Sequence, residues 1–463
     1  MGIPWPKSYL VALVLVGCGS KPATEPPPHR DDAGRLPGDA GSQVSAAPPH
    51  ALGLPDFEAW EWRKRAGMPA FRVARKAEAR GDWTAVATAC GEALAADPGN
   101  LEAAWLLAVA NGKLGKPLAV TEPLALAGAG DFGKWALASL DQPGLQPYLA
   151  TPAGQAWRQR VELDRATYLE AVAHGLVVIA KGDVFAIYDQ RWYRLTRTYG
   201  GVVGAYVNGR RLAYVTHGKT SHKLAVGSVD LDTGITTRPQ PIAPAATQIA
   251  YVAKPVLGFW IGQAQQKPRL LAIAGGKQQG LLAPSKLATR PPGPWLEVDP
   301  AGGVRLHRTP VANITADWDD QGLASAIRIA ASNRVVTVPG QIAGDTVVWS
   351  PDRNHLAFVA QLSDHCESSK AGVAAYVIDA ATGGASELVR AQHGLSIDWL
   401  DDRNVAIASD DGVTTRGLTG APQPLVGATN LVRPRFSPRC EALVPAPLGR
   451  SDDGTSEPAE ADD

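Results

Sequence analysis

The sequence predicts a helical part followed by an all-β part in a chain of 463 residues. In residues 57–168, alanine, leucine and tryptophan recur every three or four positions, which is the spacing of one face of an α-helix. Beyond residue 168 the apolar spacing falls to two, in short runs separated by Gly, Pro, Asp and Asn, which indicates strands and tight turns. One stretch of that part recurs at a spacing of 37–50 residues. Units of four strands at such a spacing are typical of β-propeller blades.

The first 18 residues have the pattern of an export signal. Lys7 precedes an apolar run at 9–16, which is shorter than the roughly 20 residues that cross a membrane but suits the core of a signal peptide. The tetrad Leu-Val-Gly-Cys at 15–18 resembles the lipobox of bacterial lipoproteins, and this resemblance implies a diacylglyceryl group on the thiol of Cys18. Gly19 stands where an aspartate often retains a lipoprotein in the inner membrane, which favours the outer membrane. The alternative is an ordinary signal peptide with a chance cysteine.

Residues 19–55 are rich in Pro, Ala, Gly and Ser and show no apolar periodicity, so we predict a disordered tether. By the flexible-chain relation, a tether of this length reaches about 30–35 Å and holds the folded part off a membrane surface. The final segment, 449–463, is acidic and poor in apolar residues, and we predict that it is disordered as well. Lys+Arg and Asp+Glu both number 45, so the charge balance gives no reason to expect nucleic acid as a partner.

The helical part, residues 56–168, carries the turn residues of helical hairpins. Gly81-Asp82 precedes one helical run, Asp97-Pro98 follows it, and Gly115 lies 34 residues after Gly81. This pattern resembles tetratricopeptide repeats, whose period is about 34 residues. The resemblance implies antiparallel helix pairs of a kind that commonly binds peptides, although two such repeats can equally serve as a structural collar.

Within the all-β part, residues 169–448, the stretch WSPDRNHLAFVA (349–360) is repeated as WLDDRNVAIAS (399–409) and as RFSPRCEALV (435–444). The aromatic position predicts packing between neighbouring sheets, and the proline and aspartate positions predict a tight turn. This repeat resembles that of the TolB-type, WD-repeat-like β-propeller. Arg353 stands where glycine is usual, so the turn must avoid a positive φ there or accept strain. The residues with these structural roles are Trp349, Pro351, Asp352, Trp399, Asp402, Phe436 and Pro438.

The clearest unit predicts strands at 346–349, 356–361, 373–379 and 387–390. A last sheet is expected to combine residues 431–446 with the early strands of 176–198, so that both ends of the β part meet in one blade. This count predicts six blades, and seven is the alternative because residues 290–340 repeat poorly. The other blades are expected to begin near Val202, Thr247, Pro294, Asp345 and Gly394.

Sequence motifs of hydrolases and metalloproteases, and Cys-x-x-Cys pairs, do not occur in the chain. We therefore expect no catalytic residue, cofactor or metal. Cys366 and Cys440 are candidates for a disulfide in an oxidising compartment. The repeat alignment places them at opposite ends of a strand about 20 Å long, whereas a bridge spans about 7 Å between Cα atoms. The bridge therefore requires the loop around Cys366 to fold back.

Two classes of function fit these features. The first is a non-catalytic, lipid-anchored scaffold of the cell envelope, facing the periplasm from the outer membrane, which binds envelope proteins or peptides. The alternative is a periplasmic enzyme of hydrolase, lyase or quinoprotein type with its site in the central funnel of the propeller. A funnel enzyme needs acids, histidines or arginines that converge from the inner strands. Asp398 is the main such residue on the predicted inner strands, and this scarcity favours the scaffold.

Overall fold

The computed structural model describes residues 64–198, 200–217, 223–242, 244–253, 256–274, 277–282, 291, 293–299, 303–308, 311–362 and 372–438. The predicted signal peptide, tether and acidic tail lie outside these residues, as do Cys18, Cys366 and Cys440. Among the described residues, no helix combines the length and the hydrophobicity that membrane crossing requires.

Helices form the first part of the described chain, and polar side chains cap them at the predicted turns. Asp82 accepts a hydrogen bond from Ala85 N at 3.0 Å, and Asn100 caps the next helix in the same way. Gly81 and Gly115 have φ angles of 73° and 67°, which glycine adopts without a steric penalty where a helix ends. The α-helices are α1 (Met68–Ala79), α2 (Trp83–Ala96), α3 (Leu101–Lys113), α4 (Thr121–Gly130), α5 (Leu137–Ser139), α6 (Gln146–Leu149) and α7 (Pro152–His174). Short 3₁₀ helices lie at Pro117–Val120 and Pro143–Leu145, and a π-helical turn lies at Phe132–Ala136.

The described strands form six antiparallel sheets. Sheet 1 contains β1 (Leu176–Ala180), β2 (Asp183–Tyr188), β3 (Arg191–Arg194) and the last strand, β27 (Ala428–Leu431), in the order β27-β1-β2-β3. Sheet 2 contains β4 (Val202–Asn208), β5 (Arg211–His217), β6 (Leu224–Asp230) and β7 (Gln240–Pro241). Sheet 3 contains β8 (Ala246–Val252), β9 (Gly258–Gln263), β10 (Gln266–Ala274), β11 (Lys277–Leu282), β12 (Trp295–Val298) and β13 (Val304–His307), in the order β11-β10-β9-β8-β12-β13.

Sheets 4 to 6 follow in the chain. Sheet 4 contains β14 (Ile314–Thr315), β16 (Ile327–Ile329) and β17 (Arg334–Val336). Sheet 5 contains β15 (Leu323–Ala324), β18 (Gln341–Ala343), β19 (Val348–Trp349), β20 (His355–Gln361), β21 (Val373–Asp379) and β22 (Ala385–Ala391). Sheet 6 contains β23 (Ser396–Trp399), β24 (Asn404–Ser409), β25 (Gly412–Gly417) and β26 (Gln423–Pro424).

Most sheets pack against the next sheet in chain order, and the last sheet packs against the first. One apolar cluster joins sheets 1, 2 and 3. Two further clusters join sheet 4 to sheet 5 and sheet 5 to sheet 6, and another joins sheet 6 to sheet 1. This succession, with helices before it, fits an α + β chain that contains a β-propeller. The predicted mixed sheet is present, but its C-terminal strand is β27 and thus begins before residue 431.

The predicted strand positions agree closely with sheet 5, where β20 and β21 lie at 355–361 and 373–379. The unit expected to begin near Pro294 does not form a sheet of its own. Its strands β12 and β13 extend sheet 3, because Leu296 and Glu297 pair with Ile249 and Gln248 of β8. A strand with alternating apolar residues can pair with β8 or begin a new sheet, so the sequence period cannot distinguish these two arrangements.

The helical part packs against the outer side of sheet 1. α7 contacts β2, and Tyr168 and Val172 of α7 are buried in the cluster that joins sheets 1 to 3. The helix ends at His174, so the predicted domain boundary at residue 168 falls inside it. Leu101 and Trp135 pack on the other face of sheet 1. The helices thereby share two apolar cores with the strands and cover the β3 edge of the sheet.

Candidate functional site at the centre of the sheets

The repeated turn at 349–354 is built by its own side chains. The carboxylate of Asp352 accepts hydrogen bonds from Ser350 Oγ at 2.6 Å and from the backbone N–H of Asn354 at 3.0 Å, and these bonds lower its pKa. Its backbone N–H donates to Oδ1 of Asp402 at 2.9 Å, which links the turns of sheets 5 and 6. Arg353 has a φ of 61°, so the turn accepts the strain.

The aromatic residues of the repeat lie between sheets. Trp399 is buried between sheets 5 and 6, and its indole N–H donates to the carbonyl of Val348 at 3.2 Å. Trp349 packs between sheets 4 and 5. Phe436 differs, because it bridges Leu395 and packs against the same cluster as Trp399. The first two copies thus serve packing and turn formation, and we find no sign of reaction chemistry in their contacts.

The inner edges of the sheets converge. In sheet 1 the β3 edge lies beside the helices, so β27 is the opposite, inner edge. β27 contacts β23, the edge of sheet 6, and β23 contacts β19 of sheet 5. Contacts between the edge strands of successive sheets fit the radial arrangement of propeller blades.

The hairpin β12–β13 forms the corresponding edge of sheet 3. It extends sheet 3 by two strands beyond β8, which is about 10 Å at the usual strand spacing. On one side β13 contacts β4, the first strand of sheet 2. Gly204 of β4 permits this approach, because a Cβ atom there would lie 2.7 Å from Cγ1 of Val304. The end of β13 reaches sheets 5, 6 and 1 through His307 and Arg308, as the next two clusters show.

His307 lies at the end of β13 and binds two carboxylates. Its Nε2 is 2.8 Å from Glu297 in the same hairpin, and its Nδ1 is 3.1 Å from Asp345 in the short helical turn Gly344–Thr346, which links β18 and β19 of sheet 5. The ring also stacks on Trp295, with the centroids 4.2 Å apart. Burial lowers the pKa of His307, but the two carboxylates outweigh that effect and raise the pKa to about 9. The protonated ring therefore connects the central hairpin to sheet 5 at neutral pH.

Arg308 follows β13 and lies near a second charged pair. Asp398 of β23 is buried, accepts from its neighbour Trp399 N at 2.9 Å and binds Nε of Arg433, which follows β27. Burial and the positive charge of Arg433 lower the pKa of Arg308 to about 10, and the charge of Asp398 opposes that shift. Charged side chains on or next to strands of sheets 3, 6 and 1 therefore influence one another here.

The sequence pattern indicated one member of this site. Asp398 stands on a predicted inner strand, and the structure places it at the centre. His307 and Arg308 were missed because their position depends on the unpredicted pairing of β12 with β8, and Arg433 was missed because it lies beyond the end of β27. The described residues contain no group of three or more His, Cys, Asp or Glu side chains arranged to hold a metal ion.

The junction between helices and strands carries a second buried charge network. Arg197, after β3, donates through Nε to Asp131 at 2.9 Å, and Asp131 begins the turn after α4. Burial raises the pKa of Asp131, but Arg197 outweighs burial and lowers it. Asp183 and Arg194 form a further buried pair in sheet 1. This network fixes the helices on the sheet and exposes no reactive group.

Comparisons with known proteins find distant structural likeness alone. Neither the protein-family models nor the curated proteins match the chain. Solved structures with some likeness include TolB from Acinetobacter baumannii, with 12% identity, a TM-score of 0.29, and coverage of 62% of this chain and 73% of that one. BamB from Moraxella catarrhalis has 14% identity, a TM-score of 0.25, and coverage of 56% and 87%. Dihydro-heme d1 dehydrogenase NirN has 12% identity, a TM-score of 0.27, and coverage of 57% and 67%. Likeness at these values carries no information on function.

Proposed function

We propose that this chain is a non-catalytic scaffold of the bacterial cell envelope, anchored by a lipid on Cys18, which binds envelope proteins or peptides through its helical and sheet surfaces. The observation that carries the proposal is the central hairpin. A propeller enzyme uses an accessible funnel, whereas β12–β13 extends sheet 3 beyond β8 and contacts β4 of sheet 2, and in our proposal this hairpin obstructs the funnel.

The state of the central side chains supports the same conclusion. General acid–base catalysis needs a group that can exchange a proton with substrate at hydrogen-bond distance. Both ring nitrogens of His307 are engaged with carboxylates, and the carboxylate of Asp398 is engaged with Arg433. The alternative, a periplasmic enzyme of hydrolase, lyase or quinoprotein type, requires these bonds to break and the hairpin to move.

The surface of the helical part suits protein binding better than the centre does. Leu118 and Leu163 are 89% and 71% exposed; Leu118 lies in the helical turn Pro117–Val120, and Leu163 lies on α7, which contacts β2 of sheet 1. In our proposal the helical hairpins act as tetratricopeptide-like repeats, and the sheets act as a propeller of six blades. Fixed geometry between the two parts limits the entropy lost when a partner binds both.

The proposed anchor is tested by cell fractionation. Cys18→Ala should move the protein from the membrane fraction to the soluble fraction, because acyl chains contribute about 0.8 kcal/mol for each buried CH₂. Cys90→Ala is the matched control, since Cys90 is a buried free cysteine within the helices. Retention of the Cys18→Ala protein in membranes would contradict a lipid anchor.

Binding is tested by photocrosslinking in the native cell. A photoreactive residue at Leu118 or Leu163 should give discrete adducts with envelope proteins, and one at Val426, an exposed position between β26 and β27, tests the β part of the chain. Adducts that depend on position support a binding surface. The absence of discrete adducts from all three positions would refute the scaffold.

A further inference from the structure

We propose that the end of the central hairpin forms a binding site for a small oxyanion, a carboxylate or phosphate group, held by Arg308 and Arg433 with the hydroxyl of Ser396. This site lies at the centre of the sheets and does not depend on the scaffold function proposed above. It is argued from unpaired polar atoms, from charge and from strand geometry.

The charge of the cluster is not balanced. Arg308 and Arg433 contribute two positive charges, and Asp398 contributes one negative charge, which Arg433 binds through Nε. The nearby carboxylates of Glu297 and Asp345 do not compensate Arg308, because both are hydrogen-bonded to His307. A guanidinium group that is withdrawn from water without an anion is costly, so an anion from solution is favoured.

Two donors in the cluster have no acceptor among the described residues. The Nε atom of Arg308 is buried and lacks a hydrogen-bond partner, and so does Oγ of Ser396, whose residue is fully buried. Ser396 lies two positions before Asp398 on β23, so both side chains project from the same face of that strand. Unsatisfied buried donors of this kind are uncommon in folded proteins and indicate a missing partner.

The chemistry of the donors selects the ligand class. Arginine presents N–H groups in a planar fork that matches two oxygens of a carboxylate or phosphate, and a serine hydroxyl can donate to a third oxygen or to a neighbouring one. A cation is disfavoured by the excess positive charge. Arg433 is 24% exposed, which leaves the anion a route from solvent.

Titration calorimetry at constant ionic strength tests the site, with inorganic phosphate and acetate as separate probes. The unmodified protein should bind one of them saturably at a single site. Arg308→Gln should weaken binding at least tenfold. Arg305→Gln, which removes the same charge from an exposed position on β13, should change it less than twofold. Asp398→Asn, which removes the competing carboxylate, should strengthen binding severalfold.

The outcomes separate the possible explanations. Tighter binding of acetate assigns a carboxylate ligand, and tighter binding of phosphate assigns a phosphate ligand; both support the oxyanion site. The proposal is overturned if neither anion binds saturably, or if Arg305→Gln weakens binding as much as Arg308→Gln does. If circular dichroism shows that Arg308→Gln is unfolded, Arg308→Lys replaces it. The proposal is then overturned if Arg308→Lys binds the anion with unchanged affinity and Asp398→Asn does not bind it more tightly.

Discussion

Replacing Arg353 with glycine should stabilise the folded chain, whereas the same replacement at Arg403 should destabilise it. The two arginines occupy equivalent positions in the repeats at 349–360 and 399–409, and both side chains are exposed. Arg353 has a φ of 61°, while Arg403 is not among the described residues with positive φ. The turns differ because Asp401 accepts from Arg403 N at 2.8 Å, whereas Arg353 N donates to the carbonyl of Ser350.

The magnitude follows from two opposing effects. A left-handed conformation costs a residue with a Cβ atom roughly 1–2 kcal/mol, and glycine removes this cost. Glycine also gains conformational freedom in the unfolded chain, which lowers stability by about 0.5–1 kcal/mol. Arg353→Gly experiences both effects and should gain about 0.5–1 kcal/mol. Arg403→Gly experiences only the second and should lose a similar amount.

Urea unfolding followed by tryptophan fluorescence measures this difference. The two variants should differ by about 1–2 kcal/mol in the free energy of unfolding. This difference changes the ratio of folded to unfolded protein by about tenfold. Both replacements remove one exposed arginine, so the net charge is matched. Equal destabilisation by both variants would refute the assigned strain at Arg353.

Three further predictions concern the centre and the junction. The raised pKa of His307 makes its stabilisation complete below pH 6.5, its ordinary pKa, and progressively lost as the pH rises towards about 9. The unmodified protein should lose roughly 1–2 kcal/mol across that window, because water screens the half-exposed carboxylates of Glu297 and Asp345, and His307→Gln should show no such loss. Asp131→Ala leaves the guanidinium of Arg197 buried without its carboxylate and should cost roughly 3–5 kcal/mol in urea unfolding. Gly204→Ala forces β4 against Val304 and should cost about 1–3 kcal/mol, with partial recovery when Val304→Ala makes room.

Each of these predictions has its own control. If the free energy of unfolding changes equally with pH in the unmodified protein and in His307→Gln between pH 6.5 and 9, the ion pairs of His307 with Glu297 and Asp345 do not stabilise the fold. Asp164→Ala removes an exposed ion pair with Arg160, and its cost should stay below about 1 kcal/mol. If Asp164→Ala costs as much as Asp131→Ala, the burial of the Asp131–Arg197 pair does not explain the loss of stability in Asp131→Ala. No recovery by Val304→Ala would place β13 away from β4.

Much of the local structure could be predicted from the sequence. The strands of sheet 5 and the ends of the first helices follow from apolar spacing and from turn residues such as Gly81 and Asp352, whose effects act over a few residues. The mixed sheet of β27 with β1 also followed from the repeat count. The candidate site was predicted only at Asp398, because the other members reach the centre through contacts distant in sequence.

The sequence by itself determined the order of helical and β parts, the turn chemistry and the alternation of buried positions along each strand. These depend on φ preferences and on the periods of helix and strand, which are properties of neighbouring residues. The tertiary structure alone decided that β12–β13 joins β8 instead of starting a sheet of its own. Strand pairing depends on which distant edge is available, and alternating apolar residues fit several edges equally well. The same pairing brings Arg308 to Asp398 and Arg433, and so creates the charged centre of the molecule.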